Sequence, residues 1–180
     1  MIEGKESCVA AVEKWVESCV LKLNLCPFAH KPMREGRVRF ASVSSRDAEV
    51  LWQRFRDELA LLDSSPEISN TLLILEERDL DLFDYLDLVA EAEQCLEDWE
   101  LDGVYQVASF HPQYLFAGEP STSRSHATNR SPWPIFHILR EAEITEALRL
   151  YKEPESIPER NKKTLESLST EAFESFFPRS

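Results

Sequence analysis

The stretch TLLIL at residues 71–75 constrains the fold more than any other part of the chain. Four apolar residues follow Thr71 without interruption, and a short run of this kind is typical of a strand that is buried on both faces. Two further strand candidates flank it, RVRFASV at residues 37–43 and VYQVASF at residues 104–110. The first of these alternates apolar with polar or small residues, as strands do. The sequence therefore predicts at least three strands.

Helical patterns surround these strand candidates. Apolar side chains recur every three or four residues at positions 5–23, 48–59 and 79–100, which predicts amphipathic helices. Alternation of strands and helices along a chain favours parallel strands joined by right-handed crossovers. We therefore expect an α/β fold with a small, mostly parallel sheet of three or more strands flanked by helices. An α+β fold of the ferredoxin-like type is the alternative.

A long irregular segment follows the third strand candidate. Residues 111–134 contain four prolines and one glycine and show no periodicity. Connections of this length are usually functional loops or disorder, and the aromatic residues Tyr114, Phe116 and Trp133 favour an ordered loop. A helix is expected to resume at Ile135. The 180 residues suit one domain spanning 1–180, with 170–180 as a docked or frayed tail.

The composition restricts the classes of partner. The net charge of −13 and the pI near 4.8 argue against a nucleic-acid partner, which would need clustered Lys and Arg to neutralise phosphates. No apolar run approaches the roughly 20 residues that span a bilayer, so no membrane partner is expected. The acidic N-terminal stretch does not resemble a signal peptide, and the four cysteines include no CxxC pair. A cytoplasmic protein with reduced cysteines is the expectation.

Cys26 stands apart from the other cysteines. It lies in LNLCPFAH at residues 23–30, just past the end of the first predicted helix, next to Pro27 and four residues before His30. A thiol near an imidazole can be held as a thiolate and act as a nucleophile or metal ligand. Free cysteine is also among the most buried residue types. Both a catalytic and a packing role for Cys26 are therefore open.

Two histidines are further candidates. His111 directly follows the third strand, at the end of the sheet where α/β proteins bind ligands. His137, Arg140 and Glu141 are spaced three and four residues apart, so they would share one face of the predicted helix. With Cys26, these residues could form an open three-ligand metal site, for which His111, His137 and Glu141 are the principal candidates. Thiolate or imidazole ligation of haem is an alternative.

Five stretches of the chain resemble the motifs of one family. They lie at residues 23–29, 36–37, 106–118, 128–141 and 157–161. In this order they resemble the mainly bacterial family catalogued as domain of unknown function 1415, over nearly the whole chain from about Trp15 to about Leu168. The resemblance implies no activity. It marks as motif positions Cys26, Arg37, His111, Asn129, Arg130, His137, Arg140, Glu141, Arg160 and Asn161.

These observations lead to a hypothesis about function. Basic groups gathered in an otherwise acidic protein would attract a small anion. We expect an enzyme that acts on a small anionic metabolite in a Cys/His/Arg pocket, with Cys26, His111, His137 and Glu141 as catalytic candidates, and with a transition metal or haem as an open alternative. Substrate-binding candidates are Arg37, Asn129, Arg130, Arg140, Arg160 and Asn161. The arginines are predicted to converge with both histidines on one pocket. A non-catalytic partner module with an aromatic groove is the alternative.

Overall fold

A computed structural model describes residues 7–177 as a four-stranded mixed sheet between two layers of helices. The strands are β1 (Val38–Val43), β2 (Asn70–Leu75), β3 (Tyr105–Phe110) and β4 (Ile135–Arg140). The helices are α1 (Cys8–Trp15), α2 (His30–Arg34), α3 (Ala48–Ser64), α4 (Leu82–Asp98), α5 (Glu141–Leu150), α6 (Ile157–Ser167) and α7 (Thr170–Phe176). A π-helical segment (Val16–Leu21) continues α1, and 3₁₀ turns occupy Arg124–Asn129 and Pro154–Ser156.

The strand order β1-β2-β4-β3 corrects the expectation of a mostly parallel sheet. Only β1 and β2 pair in parallel, whereas β4 runs antiparallel to both β2 and β3. The error arises at residues 135–140, which form a strand and not the start of a helix. Because β4 lies between β2 and β3, these two strands, which run in the same direction, do not pair with each other. The chain order β1-α3-β2-α4-β3-β4 also differs from the βαββαβ order of a ferredoxin-like fold.

One face of the sheet packs against α3 and α4. Both helices begin at a capping aspartate: Asp47 accepts hydrogen bonds from two N–H groups of α3, and Asp81 accepts one from α4. Their apolar stripes, represented by the fully buried Phe55 and Tyr85, cover Phe136 of the central strand β4. The two helices predicted between the strands are thus confirmed.

The opposite face of the sheet packs against α1, its π-helical continuation, α6 and α7. Leu72, Ile74 and Ile135 of the sheet meet Val12 and Leu165 from these helices in a second core. The predicted tail forms α7 up to Phe176, and residues 178–180 lie outside the described part of the chain. Within residues 7–177, no helix has the length and apolar character needed to cross a bilayer.

The long loop is ordered and covers one end of this second layer. It leaves the carboxyl end of the edge strand β3, and the backbone N–H of His111 donates to Asn129 O at 3.1 Å. The side-chain amide of Asn129 in turn donates to Ser109 O at 3.0 Å. Arg124 donates to the carbonyls of Leu165 and Leu168, at the end of α6. These bonds hold the loop between β3 and α6, where it forms one wall of a cavity.

Candidate functional site

Cys26 lies in the turn between the π-helical segment and α2, where the N–H of Ala29 donates to Cys26 O at 3.2 Å. The backbone N–H groups of Phe28 and Ala29 also lie where they favour the charged form of the Cys26 sulfur. Burial raises the pKa of the Cys26 thiol, while the two N–H groups and nearby Arg160 oppose that rise. At neutral pH the resting group is therefore a thiol with donors in place for a thiolate.

Two residues of α6 hold the Cys26 turn in place. The Asn161 side-chain amide donates to Leu25 O at 2.7 Å, and Arg160 Nη2 donates to Asn24 O at 3.1 Å. Arg160 also donates through Nη1 to the hydroxyl of Tyr151. Asn24 has a positive φ of 50°, and the N–H groups of Asn24 and Leu25 donate to Leu21 O and Val20 O, which ends the preceding helix at this point. Arg160 and Asn161 thus act on the backbone that positions Cys26.

A cavity of about 540 Å³ opens beside Cys26, a size in the range of small-molecule sites. The π-helical segment, the Cys26 turn, the end of β3, the long loop and the first half of α6 all contribute to it. Its uncharged polar lining residues are Cys26, Ser125, Thr128, Asn129 and Asn161, and its apolar lining residues are Val20, Leu25, Phe110, Phe116, Ile157 and Pro158. A ligand with an apolar body and a polar end would match these walls.

An ion pair closes one side of the cavity. Lys162 Nζ lies 3.1 and 3.2 Å from the two carboxylate oxygens of Glu119, and both residues line the cavity. The hydrogen bonds between them hold the pKa of Glu119 below, and the pKa of Lys162 above, their ordinary values. Glu159, also in the wall, pairs with Lys163 at 3.7 Å. Lys162 thus provides a cation at the cavity, bound to an internal carboxylate.

His126 supports the loop wall from beneath. Its fully buried ring accepts a hydrogen bond from the N–H of Phe116 at Nδ1 (3.0 Å) and donates from Nε2 to Pro120 O (2.9 Å). The ring also stacks on Phe116. Because Gly118 has a φ of 81°, the chain reverses between these two bonds. His126 therefore fixes the segment that carries Phe116 and Glu119.

His111 lies on the α4 side of the sheet, away from the cavity. Its buried ring stacks on Tyr85, accepts the N–H of Gln113 at Nδ1 and donates from Nε2 to Leu80 O at 2.9 Å. Burial lowers the pKa of His111. Both ring nitrogens are engaged with the backbone, so the geometry gives His111 a role in ordering the start of the loop.

The expectation that His137, Arg140 and Glu141 share one helical face is wrong. His137 and Arg140 belong to β4, and residues three apart on a strand point to opposite faces. His137 lies near Phe110 and donates from Nε2 to Asn70 Oδ1 at 2.9 Å. Glu141 is the first residue of α5. The predicted shared pocket of arginines and histidines is therefore not formed.

The remaining arginine candidates lie in other places. Arg140 donates to the carbonyls of Leu62, Ser65 and Ile68. Arg37, at the opposite end of the sheet from His111, donates to the carbonyl of Glu67 and pairs with Glu143 at 3.0 Å. Arg130 Nε donates to Tyr114 O at 3.1 Å, and burial lowers the pKa of its guanidinium. The structure does not bring these three guanidinium groups to the cavity.

The proposed metal ligands are also separated. His111 faces α4, His137 lies on the other face of the sheet, and Glu141 begins α5. In the part of the chain that the structure describes, no three or more His, Cys, Asp or Glu side chains are arranged to hold a metal ion.

Of the motif residues, the cavity brings together Cys26, Asn129 and Asn161, with Arg160 beside them. The sequence did not single out the wall residues Glu119 and Lys162, whereas Phe116 lies within the third motif stretch and was among the loop aromatics. Lys162 directly follows the last motif stretch, and Glu119 directly follows the third. Adjacency to a motif was thus the one signal that pointed to them.

The titration of His137 provides a test of its burial. Burial lowers the pKa of His137 to about 4, whereas a histidine in an unfolded chain titrates near about 6.5. Below that pH the unfolded chain binds a proton that the folded protein does not, so stability falls as the pH drops. From about pH 8 to about pH 5 we expect this residue to cost about 2 kcal/mol of unfolding free energy.

Urea denaturation at the two pH values measures this loss. A His137→Gln variant keeps an N–H donor for Asn70 and should lose about 2 kcal/mol less than the wild type over the same range. His30→Gln, at an exposed position, is the control and should follow the wild type. Equal pH dependence in His137→Gln and the wild type would contradict the lowered pKa.

Comparison with known proteins assigns the chain to a family. The family model described as Protein of unknown function (DUF1415) matches residues 7–175, so the chain belongs to this family, as its motifs indicated. Neither the curated proteins nor the solved structures contain a match to the chain.

Proposed function

We propose that this member of the family is an enzyme that binds a small anionic molecule in the cavity beside Cys26 and uses the Cys26 thiol as its reacting group. One observation carries the proposal: three motif stretches, far apart in the sequence, place Cys26, Asn129 and Asn161 in the walls of one cavity. Packing alone would not require polar and apolar side chains to line one open space of about 540 Å³.

Part of the surroundings of the Cys26 sulfur favours a nucleophile. The N–H groups of Phe28 and Ala29 and the charge of Arg160 all favour the thiolate, and burial keeps the resting group protonated. A thiolate formed when substrate binds would thus be stabilised without reorganisation of the turn. The separated histidines give no geometric support for a metal or haem, so neither is part of the proposal.

The cavity favours a small molecule over a protein partner. The aromatic residues considered for a partner groove pack on their own neighbours: Tyr114 lies edge-on to Phe116 at 5.1 Å, and Arg78 covers Trp133 at 5.6 Å. Small-molecule sites are concave and mostly apolar, with a few polar groups. We also propose a cytoplasmic protein without a membrane partner, and the acidic composition argues against nucleic acid as a partner.

Ligand protection of Cys26 tests the proposal. Small carboxylic acids and phosphate esters would be screened for those that raise the melting temperature of the protein. Compounds that do so are expected to slow alkylation of Cys26 by iodoacetamide, measured by peptide mass spectrometry, because they occupy the cavity. Thr128→Trp, which fills the cavity, should abolish both effects, whereas Gln53→Trp, at an exposed position on α3, should preserve them.

The catalytic role of Cys26 needs a separate comparison. Cys26→Ser should still bind the compounds that the screen identifies but should no longer convert them, as followed by mass spectrometry of the reaction mixture. Conversion at the wild-type rate by Cys26→Ser would contradict the catalytic role. Ligands that stabilise Thr128→Trp as well as the wild type would contradict the cavity itself.

A further inference from the structure

The ion pair between Glu119 and Lys162 has an unusual position for a surface salt bridge. Both partners line the cavity, one from the long loop and one from α6. Lys162 Nζ contacts both oxygens of the Glu119 carboxylate, at 3.1 and 3.2 Å. A carboxylate therefore already occupies the place beside Lys162, and it belongs to the protein itself.

This internal carboxylate is easy to exchange. Both side chains of the pair are about one-third exposed, at 35% for Lys162 and 32% for Glu119, and exposed ion pairs contribute little to stability because water and salt screen them. Replacement of Glu119 by the carboxylate of a ligand would therefore cost the fold little.

Lys162 is also the cation best placed to receive a ligand. Among the described residues that line the cavity, it is the one cation. Arg160 nearby is committed to Asn24 O and to the Tyr151 hydroxyl. Lys163, on the next position of α6, pairs with Glu159. The exchangeable positive charge of this region thus resides on Lys162.

We propose that Lys162 is the ligand-binding cation of the cavity, that the ligand is a small carboxylic acid with an apolar body, and that its carboxylate displaces Glu119. The inference rests on the proposed function of the cavity and adds the class of its ligand. The apolar body packs on Phe110 and Phe116, and the carboxylate takes the position of the Glu119 side chain. Glu119 keeps the site neutral until the ligand arrives.

Two alkylating reagents that differ in charge test this assignment. Iodoacetate carries a carboxylate and iodoacetamide does not, and the ratio of their rates at Cys26 measures how strongly the cavity attracts a carboxylate. The ratio at Cys95, a half-buried thiol on α4, provides the reference within the same molecule. Peptide mass spectrometry reports both sites from one digest.

We expect Glu119→Gln to raise the normalised iodoacetate-to-iodoacetamide ratio about threefold, because Lys162 loses its internal partner. Lys162→Gln should lower the ratio about threefold relative to the wild type. Glu146→Gln is the matched control: it removes the same charge from an exposed pair with Arg149 on α5, away from the cavity. It should leave the ratio at the wild-type value.

The outcomes separate this inference from the proposed function. Equal ratios in Glu119→Gln, Lys162→Gln and Glu146→Gln, with Cys26 still labelled by iodoacetamide, would overturn the role of Lys162 and leave the cavity as the proposed site. If neither reagent labels Cys26 in the folded protein, the cavity is closed to ligands and both proposals are overturned. A ratio that changes only with the two cavity variants supports the carboxylate assignment.

Discussion

Replacement of Arg140 by methionine is expected to lower the free energy of unfolding by about 3 kcal/mol. The guanidinium donates to the carbonyls of Leu62, Ser65 and Ile68, where the chain passes from α3 to β2, and to the hydroxyl of Tyr105. Methionine has a similar apolar stem but no donor, so these acceptors lose a charged partner. Hydrogen bonds to a charged group contribute about 1.5–3 kcal/mol each, and removal of several seldom adds fully.

Urea denaturation and thermal melting measure this effect. For a chain of this length, the loss corresponds to a fall in melting temperature of about 6–12 °C. Arg149→Met is the control, because Arg149 makes only an exposed pair with Glu146, and it should change stability by less than about 0.5 kcal/mol. If Arg140→Met proves as stable as the wild type, Arg140 does not hold the α3–β2 turn and becomes a ligand-binding candidate again.

The case of Arg140 illustrates why the arginines of the motifs were misinterpreted. In an acidic chain, guanidinium groups at motif positions indicate anion binding, and this was the basis of the predicted shared pocket. Arg130, Arg140 and Arg160 instead each donate to backbone carbonyls, at Tyr114, at the α3–β2 turn and at Asn24. Carbonyls at the ends of helices and in loops need hydrogen-bond donors, just as an anionic ligand does. Composition cannot distinguish these two uses.

The fold was predictable to the extent that local patterns determine it. The strands at residues 38–43, 70–75 and 105–110 and the helices between them follow from apolar periodicity. The fourth strand was missed because its sequence, IFHILR, runs directly into the helical pattern of α5 at Glu141. A segment of six residues, four of them apolar, is too short for a helix and suits a strand. The absence of a turn signal at the boundary concealed that distinction.

The candidate site, like the fold, was predictable in some parts and not in others. Cys26 could be identified because it lies just past the end of a predicted helix, whereas Asn161 was marked by the family resemblance alone. Glu119 reaches Lys162 only because the loop folds back over α6, a tertiary arrangement that no periodicity encodes. His126 lies two residues before the fourth motif stretch and was not among the candidates, yet the loop buries it completely.

Replacement of His126 by leucine is expected to lower the free energy of unfolding by about 3 kcal/mol and to loosen the loop wall of the cavity. Leucine fills part of the buried space but offers neither an acceptor for the N–H of Phe116 nor a donor for Pro120 O. Each buried backbone group left without a partner costs about 1–3 kcal/mol. Chemical denaturation measures the stability.

A stability loss alone would not show that His126 shapes the cavity, so a matched variant is needed. His111→Leu removes a ring that is equally buried and bonded in the same manner, to the N–H of Gln113 and to Leu80 O. We expect a similar loss of stability from it. His111 does not support the segment that carries Phe116 and Glu119, and the loop wall of the cavity should stay in place in His111→Leu.

The alkylation of two cysteines in one molecule separates local opening from global unfolding. Cys19 is 1% exposed, and burial raises its pKa to about 12, so it reacts only when the protein unfolds. His126→Leu should increase the rate at Cys26 relative to Cys19, because the loop wall beside Cys26 loses its anchor. His111→Leu should increase both rates together. A parallel rise at both cysteines in His126→Leu would mean that the loop wall does not depend on His126, and the role assigned here to the buried histidine would be wrong.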